Sequence, residues 1–215
     1  MTALTSLVLR DVRRAWIGGG ALLPVAFFLL VAILFPFAIG PDAKLLARVG
    51  GGVLWAAALL AALIPIERLV APDLASGAID QLLVRGQSAA AIAFAKLVAH
   101  WLAFAPPILV AAIPAAGLLG LSATTLVRVE LGLLIGTPGL AALALATGAL
   151  VAGLRGAGAI AGLLLLPLAI PLLIFGAGSL EGGFSALQFL GAVSLLLVAG
   201  APFVAGAAIR AGLDG

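Results

Sequence analysis

The chain of 215 residues has no cysteine and no tyrosine, one histidine, and a single methionine at position 1. Without cysteine, disulfides, thiolate metal sites and redox couples are excluded. His100 stands alone, so no axial haem pair, metal-ligand set or nucleophile–base–orienter triad can be assembled, and no catalytic residue is expected. Charge is scarce as well: 9% of residues are ionisable, and a net charge of +3 is spread without a basic run or interleaved aromatics. That pattern excludes nucleic acid as a partner despite a pI near 10.6. No G-x-x-x-x-G-K-[ST] loop occurs, and neither lysine, Lys44 or Lys96, has a glycine-rich approach, so the chain does not hydrolyse ATP by itself. The centres of the apolar segments lack ionisable groups, and no internal repeat relates the two halves. Both absences count against a stand-alone, ion-coupled carrier.

What remains is apolar. Residues 97–127 contain no Asp, Glu, Lys or Arg, and runs of similar polarity recur throughout a chain that is 65% hydrophobic. About 20 apolar residues cross a ~30 Å hydrocarbon core as a helix, and the short alternating segments of a barrel are missing. The reading is an all-α polytopic membrane protein with one transmembrane domain over residues 1–215. Six spans are expected at 19–39, 49–66, 96–119, 126–153, 157–178 and 186–209, with the first span retained rather than cleaved. With the N-terminus in the cytoplasm, Arg10, Arg13, Arg14, Arg68, Arg85, Lys96, Arg155 and Arg210 lie inside and Lys44, Arg48 and Arg128 outside. The positive-inside rule therefore places both termini in the cytoplasm.

Residues 1–18 read as an interfacial helix, with Leu4, Leu7, Val8, Val12, Ala15 and Trp16 on one stripe and Arg10, Arg13 and Arg14 among lipid headgroups. Asp11 breaks the stripe; it either pairs with Arg14 or marks contact with protein rather than lipid. Pro106, Pro107, Pro114, Pro138, Pro167 and Pro171 invite kinks within spans. Gly132 with Gly136, and Gly158 with Gly162, have the spacing of close helix packing, the second pair being the expected contact between two copies of the chain. His100 and Trp101 are placed near the inner boundary as interfacial groups. Arg128 and Glu130 are read as an outer anchor, with an outer vestibule or a partner contact as the alternative.

Residues 67–95 form the longest polar connection, a cytoplasmic coupling loop. Leu69, Val70, Leu74, Leu82 and Leu83 can pack on the membrane side, while Asp73, Gly77 and Asp80 are spaced to share an exposed helical face. A short helix of this kind fits a groove in a soluble subunit. Glu67, Arg68, Asp73, Gly77, Asp80, Gln81 and Leu82 are the expected docking residues.

The runs Phe27-Phe28-Leu29-Leu30, Leu34-Phe35-Pro36-Phe37-Ala38-Ile39-Gly40-Pro41 and Gly52-Val53-Leu54-Trp55-Ala56 resemble the haem exporter protein B family, the permease of the ABC transporter for cytochrome c maturation. So do Asp80-Gln81-Leu82-Leu83, Ala95 to Trp101, Leu134 to Pro138, Leu165 to Pro171 and Ile174 to Gly178, in family order across nearly the whole chain. Glu67, Pro72 and Gly86-Gln87 depart from the family pattern. The resemblance implies an ABC-2-like, six-span permease in the bacterial inner membrane. It further implies two copies of this chain with two copies of a cytoplasmic ATPase, a haem-handling membrane protein, a small single-span subunit and a periplasmic haem chaperone. ATP and magnesium would sit on the ATPase and haem on the membrane partner, with no cofactor on this chain alone. The competing readings are an ABC-2 exporter of a lipid or other amphiphile, a stand-alone secondary transporter, and a pure scaffold.

Overall fold

A computed structural model describes residues 3–40, 42–154, 156–181 and 183–213. Arg155 and Pro41, used above, lie outside the described residues. Among the described residues ten helices follow one another: α1 (Ala3–Ile17), α2 (Leu22–Ile39), α3 (Ala43–Leu63), α4 (Ile66–Leu69), α5 (Ala71–Ala75), α6 (Ala78–Val84), α7 (Ala89–Leu118), α8 (Ala123–Leu150), α9 (Ala157–Gly178) and α10 (Gly183–Leu213). Among the described residues there is no strand. The six long helices α2, α3, α7, α8, α9 and α10 are apolar and long enough to cross a membrane.

Three of the spans begin where side chains cap them rather than where hydropathy rises. Asp42 accepts the N–H of Leu45 at 3.0 Å, Ser88 that of Ala91 at 3.2 Å and Ser122 that of Thr125 at 3.2 Å. The second span therefore starts at Ala43 instead of residue 49, taking Lys44 and Arg48 into its first turns. The third starts at Ala89 instead of residue 96, so Lys96, His100 and Trp101 stand inside α7 and not at its edge. Trp101 donates from Nε1 to Thr137 Oγ1 at 3.2 Å, tying α7 to α8 in place of the expected headgroup contact.

The bundle is organised around α8, which packs on α3, α7, α9 and α10. Of its apolar window 72% is buried, against 17% for α2, whose side chains mostly face outward. Helix association in lipid gains little from hydrophobicity and depends on close packing, which small residues permit. A Cβ at Gly148 would lie 2.8 Å from the carbonyl oxygen of Ile66, and one at Gly206 would lie 2.8 Å from the backbone nitrogen of Ala90. Gly139 donates its N–H to Ser194 Oγ at 2.9 Å, joining α8 to α10 one residue after Pro138.

Gly132 and Gly136 act differently from the expected backbone approach. Together with Gly176 of α9 they line the slot that holds the indole of Trp55, which is only 1% exposed. A Cβ at Gly132 would sit 3.2 Å from the ring, and one at Gly136 or Gly176 would overlap it. Gly158 is not a free contact surface either, because Glu67 of the same chain lies across it, 2.5 Å from where a Cβ would stand. Gly162 has open space around it. At the same end of the molecule as the start of α8, Arg128 donates to the Leu180 carbonyl at 2.7 Å, while Glu130 Oε1 is buried without a hydrogen-bond partner.

Gly136→Val and Gly176→Val should each destabilise the purified protein by roughly 1–3 kcal/mol through overpacking against Trp55. Gly162→Ala, which meets open space, should not lower the thermal transition, and melting of the three variants in one detergent compares them directly.

Candidate functional site: an ion-paired node beneath three short helices

Residues 64–88 do not form a loop in the ordinary sense. Pro65 ends α3, Pro72 occupies the first turn of α5, and Gly77 takes a left-handed conformation (φ 70°) that only glycine adopts freely. That residue closes α5 and opens α6, so the helical register assumed for Asp73, Gly77 and Asp80 is broken between the first and the last. Asp80 and Gln81 are exposed; Asp73 is turned inward, with its side chain 8% exposed.

The short helices rest on a core of their own. Val70 and Ile79 are fully buried beside Leu7 of α1, Ile92 and Leu97 of α7, Leu145 of α8 and Ile209 of α10. Leu69, Leu74, Leu82 and Leu83 pack against this cluster. The apolar residues expected to face the membrane thus face protein, and the segment is anchored to the bundle.

Asp73 lies at the meeting point of α1, α5 and α7. Its Oδ2 accepts from Arg10 Nη2 at 2.6 Å and from Lys96 Nζ, and Arg14 Nη1 is 4.0 Å from Oδ1. Lys96, whose side chain is 4% exposed, also donates to Asp11 Oδ2 at 3.1 Å, and Arg10 Nε donates to Asp11 Oδ1 at 2.8 Å. Asp11 therefore pairs with Arg10 and Lys96 and not with Arg14, which explains its place in an apolar stripe: it marks contact with protein. Arg10 likewise pairs with Asp73 while its side chain stays partly exposed. Burial alone would raise the Asp73 pKa, but the hydrogen bonds and charges of Lys96 and Arg10 outweigh it and hold the carboxyl below its usual value. Burial opposes the Arg10 charge too, and Asp11 and Asp73 more than compensate.

Of the residues expected to dock a partner, Glu67, Arg68, Asp80 and Gln81 are exposed and Leu82 is partly buried. Glu67 stands apart, over Gly158 of α9. Beside Asp80 and Gln81 is Val84, 88% exposed on α6, a surface feature that sequence reasoning missed. The roles of Arg10 and Lys96 were missed as well; the signal available was the misfit of Asp11, since a carboxylate in apolar surroundings requires a cation. His100 is buried and stacks on Phe104, with ring centroids 5.6 Å apart, so it is an interior residue and not an interfacial one.

Six membrane-crossing helices, α8 among them and at the centre, with a segment of short helices pinned to one end, define a polytopic, multi-pass, all-α permease. The chain matches the family described as CcmB protein over residues 2–212, and it belongs to that family. It is 41% identical to heme exporter protein B of Bradyrhizobium diazoefficiens over 225 aligned positions, covering 100% of both chains. It is 43% identical to the protein of that name from Haemophilus influenzae, covering 89% of each. For the Escherichia coli K12 protein of that name the identity is 39%, over 87% of this chain and 88% of the relative.

Removing one member of a buried ion pair strands the other, at a typical cost of roughly 3–5 kcal/mol, whereas replacing both by apolar groups is close to neutral. Asp73→Asn should therefore release α1, seen as faster amide exchange over residues 4–16, while Asp73→Leu combined with Lys96→Met should largely restore stability. Because the folded-state pKa of Asp73 is depressed, its contribution is complete above the unfolded value of ~3.9 and fades as pH falls below it. Protection of α1 should accordingly persist from pH 7 to pH 5 and decline below about pH 4.

Proposed function

We propose that this chain is the membrane permease subunit of an ATP-driven complex for haem export and cytochrome c maturation in the bacterial inner membrane. It couples ATP hydrolysis on a separate ATPase to release of a haem-loaded periplasmic chaperone. The names of the relatives support the haem-export part of this reading, and the absence of a nucleotide motif supports a separate ATPase. The assembly would comprise two copies of the chain and two of the ATPase, a haem-handling membrane protein and a small single-span subunit. ATP and magnesium would be bound by the ATPase and haem by the membrane partner. The basic residues Arg10, Arg13, Arg14, Arg68, Arg85 and Lys96 gather at the end of the bundle that carries α1 and the short helices, where the end of α10 also lies. By the positive-inside rule that end is cytoplasmic, together with both termini.

The observation that carries the coupling reading is the Asp73 node. The ATPase would contact the exposed face of α6 through Asp80, Gln81 and Val84, with Leu82 at its margin. Movement of α6 would pass through the Gly77 turn to α5. Because Asp73 holds α1 and α7 together, those helices would move with it, and the proline-bearing part of α7 (Pro106, Pro107, Pro114) would bend to transmit the motion across the membrane. In this reading Asp73 transmits the movement and is not itself a contact for the ATPase.

Docking and transmission should separate experimentally. Asp80→Arg with Val84→Asp, both on exposed positions, should lower copurification of the ATPase about tenfold with the fold intact. Asp73→Leu with Lys96→Met should keep the ATPase bound but slow chaperone release at unchanged ATP turnover. Full release at the normal rate by the second variant would contradict the transmission role, and undiminished ATPase capture by the first would contradict the docking face.

A further inference from the structure

Between α1, the start of α2, the short helices and α7 lies a cavity of about 300 Å³. This is at the lower end of the range for ligand pockets, which begins near 300 Å³. Its lining combines Arg14, Arg68 and Lys96 with Asp11 and Asp73, and it includes the apolar Leu23, Pro24, Ala103 and Phe104; Lys96, His100 and Phe104 follow one another at successive turns of α7. The two carboxylates are already engaged by Arg10 and Lys96. Arg68 has no ion pair among the described residues, and the only one Arg14 makes is the 4.0 Å approach to Asp73. The cavity therefore presents uncommitted positive charge.

A second observation points to a ligand. His100 is more than nine-tenths buried, lines this cavity, and its Nε2 has no hydrogen-bond partner. A buried polar nitrogen left unpaired is unfavourable, and a headgroup oxygen or hydroxyl in the cavity would satisfy it. The apolar lining is also part of a longer stripe: Leu23, exposed as well as lining the cavity, is followed along α2 by Phe27, Leu30 and Leu34, all exposed and spaced to share one helical face. A soluble anion would make no use of that stripe, whereas acyl chains would lie along it.

We propose that this cavity binds the anionic headgroup of a phospholipid from the adjacent leaflet, with Arg14 and Arg68 at its phosphate, His100 at a headgroup oxygen, and the acyl chains along Leu23, Phe27, Leu30 and Leu34. The inference does not depend on the identity of the exported molecule or on the ATPase.

Native mass spectrometry of the full chain in detergent tests it, with phosphatidylglycerol and phosphatidylcholine of identical acyl chains and glycerol 3-phosphate as the headgroup alone. The wild-type protein should retain one phosphatidylglycerol about tenfold more strongly than phosphatidylcholine, and glycerol 3-phosphate should not displace it at equal concentration. Equal retention of the two lipids overturns the proposal, and displacement by glycerol 3-phosphate replaces it with a soluble-anion site. Arg14→Gln with Arg68→Gln should abolish the preference, whereas Arg48→Gln, on a cation at the opposite end, should leave it intact; the reverse pattern overturns the assignment. Ala103→Leu fills the apolar lining while keeping every charge, and it should also weaken phosphatidylglycerol retention, so the test survives if the double variant fails to fold.

Discussion

A lysine ammonium held between two carboxylates organises one end of this molecule. Lys96 stands two turns inside α7, where an unpaired charge would be costly, and its side chain is almost fully enclosed. Asp11 from α1 and Asp73 from α5 remove that cost together, and Arg10 balances the second negative charge. Each member is stable there because of the others, so three chain segments far apart in sequence are brought to one point. Such a node adds little to net stability compared with an apolar core. Its consequence is positional, because it leaves one place for α1 and one orientation for the short helices.

The rest of the bundle is held by fit. With lipid as solvent, Ala and Gly on α8 bring backbones close, and Trp55, the largest fully buried side chain among the described residues, occupies a slot made by three glycines from two helices. The two regimes divide the molecule. Close packing of small residues defines the membrane-crossing part, while ion pairs and a small satellite core fix the segment that would meet a soluble partner. This division gives the proposed transmission its direction: α6 exposes a polar and apolar face outward, and everything beneath it is tied inward.

Much of the architecture could be read from the sequence. The six spans, the all-helical character of the described residues and the family followed from long uncharged runs and from motifs in order. Span boundaries were less legible, because Ser88 and Asp42 start their helices within stretches that hydropathy assigns to loops. The short helices were misread at one residue, Gly77: its left-handed backbone breaks the periodicity that had placed Asp73 on the outer face. Nothing local shows that Asp73 reaches Lys96 and Arg10, since the pairing depends on tertiary packing of α1. Asp11 was the visible clue, an acid in an apolar stripe. Gly132 and Gly136 were recognised as packing residues, but their partner is a side chain, and Gly176, which completes the slot, lies in another span with no pattern linking it to them.

The central claim is that the Asp73 node makes α1 and the docking segment a single body. The chain has no cysteine of its own, so Arg13→Cys and Ser76→Cys would give one unique spin-label pair, with one site on α1 and the other between α5 and α6, outside the docking residues. Double electron–electron resonance on this pair should return one narrow distance distribution, unchanged when the ATPase binds nucleotide, and Asp73→Asn should broaden it. A distribution that shifts with nucleotide while the node is intact, or that keeps its width in Asp73→Asn, would contradict the account.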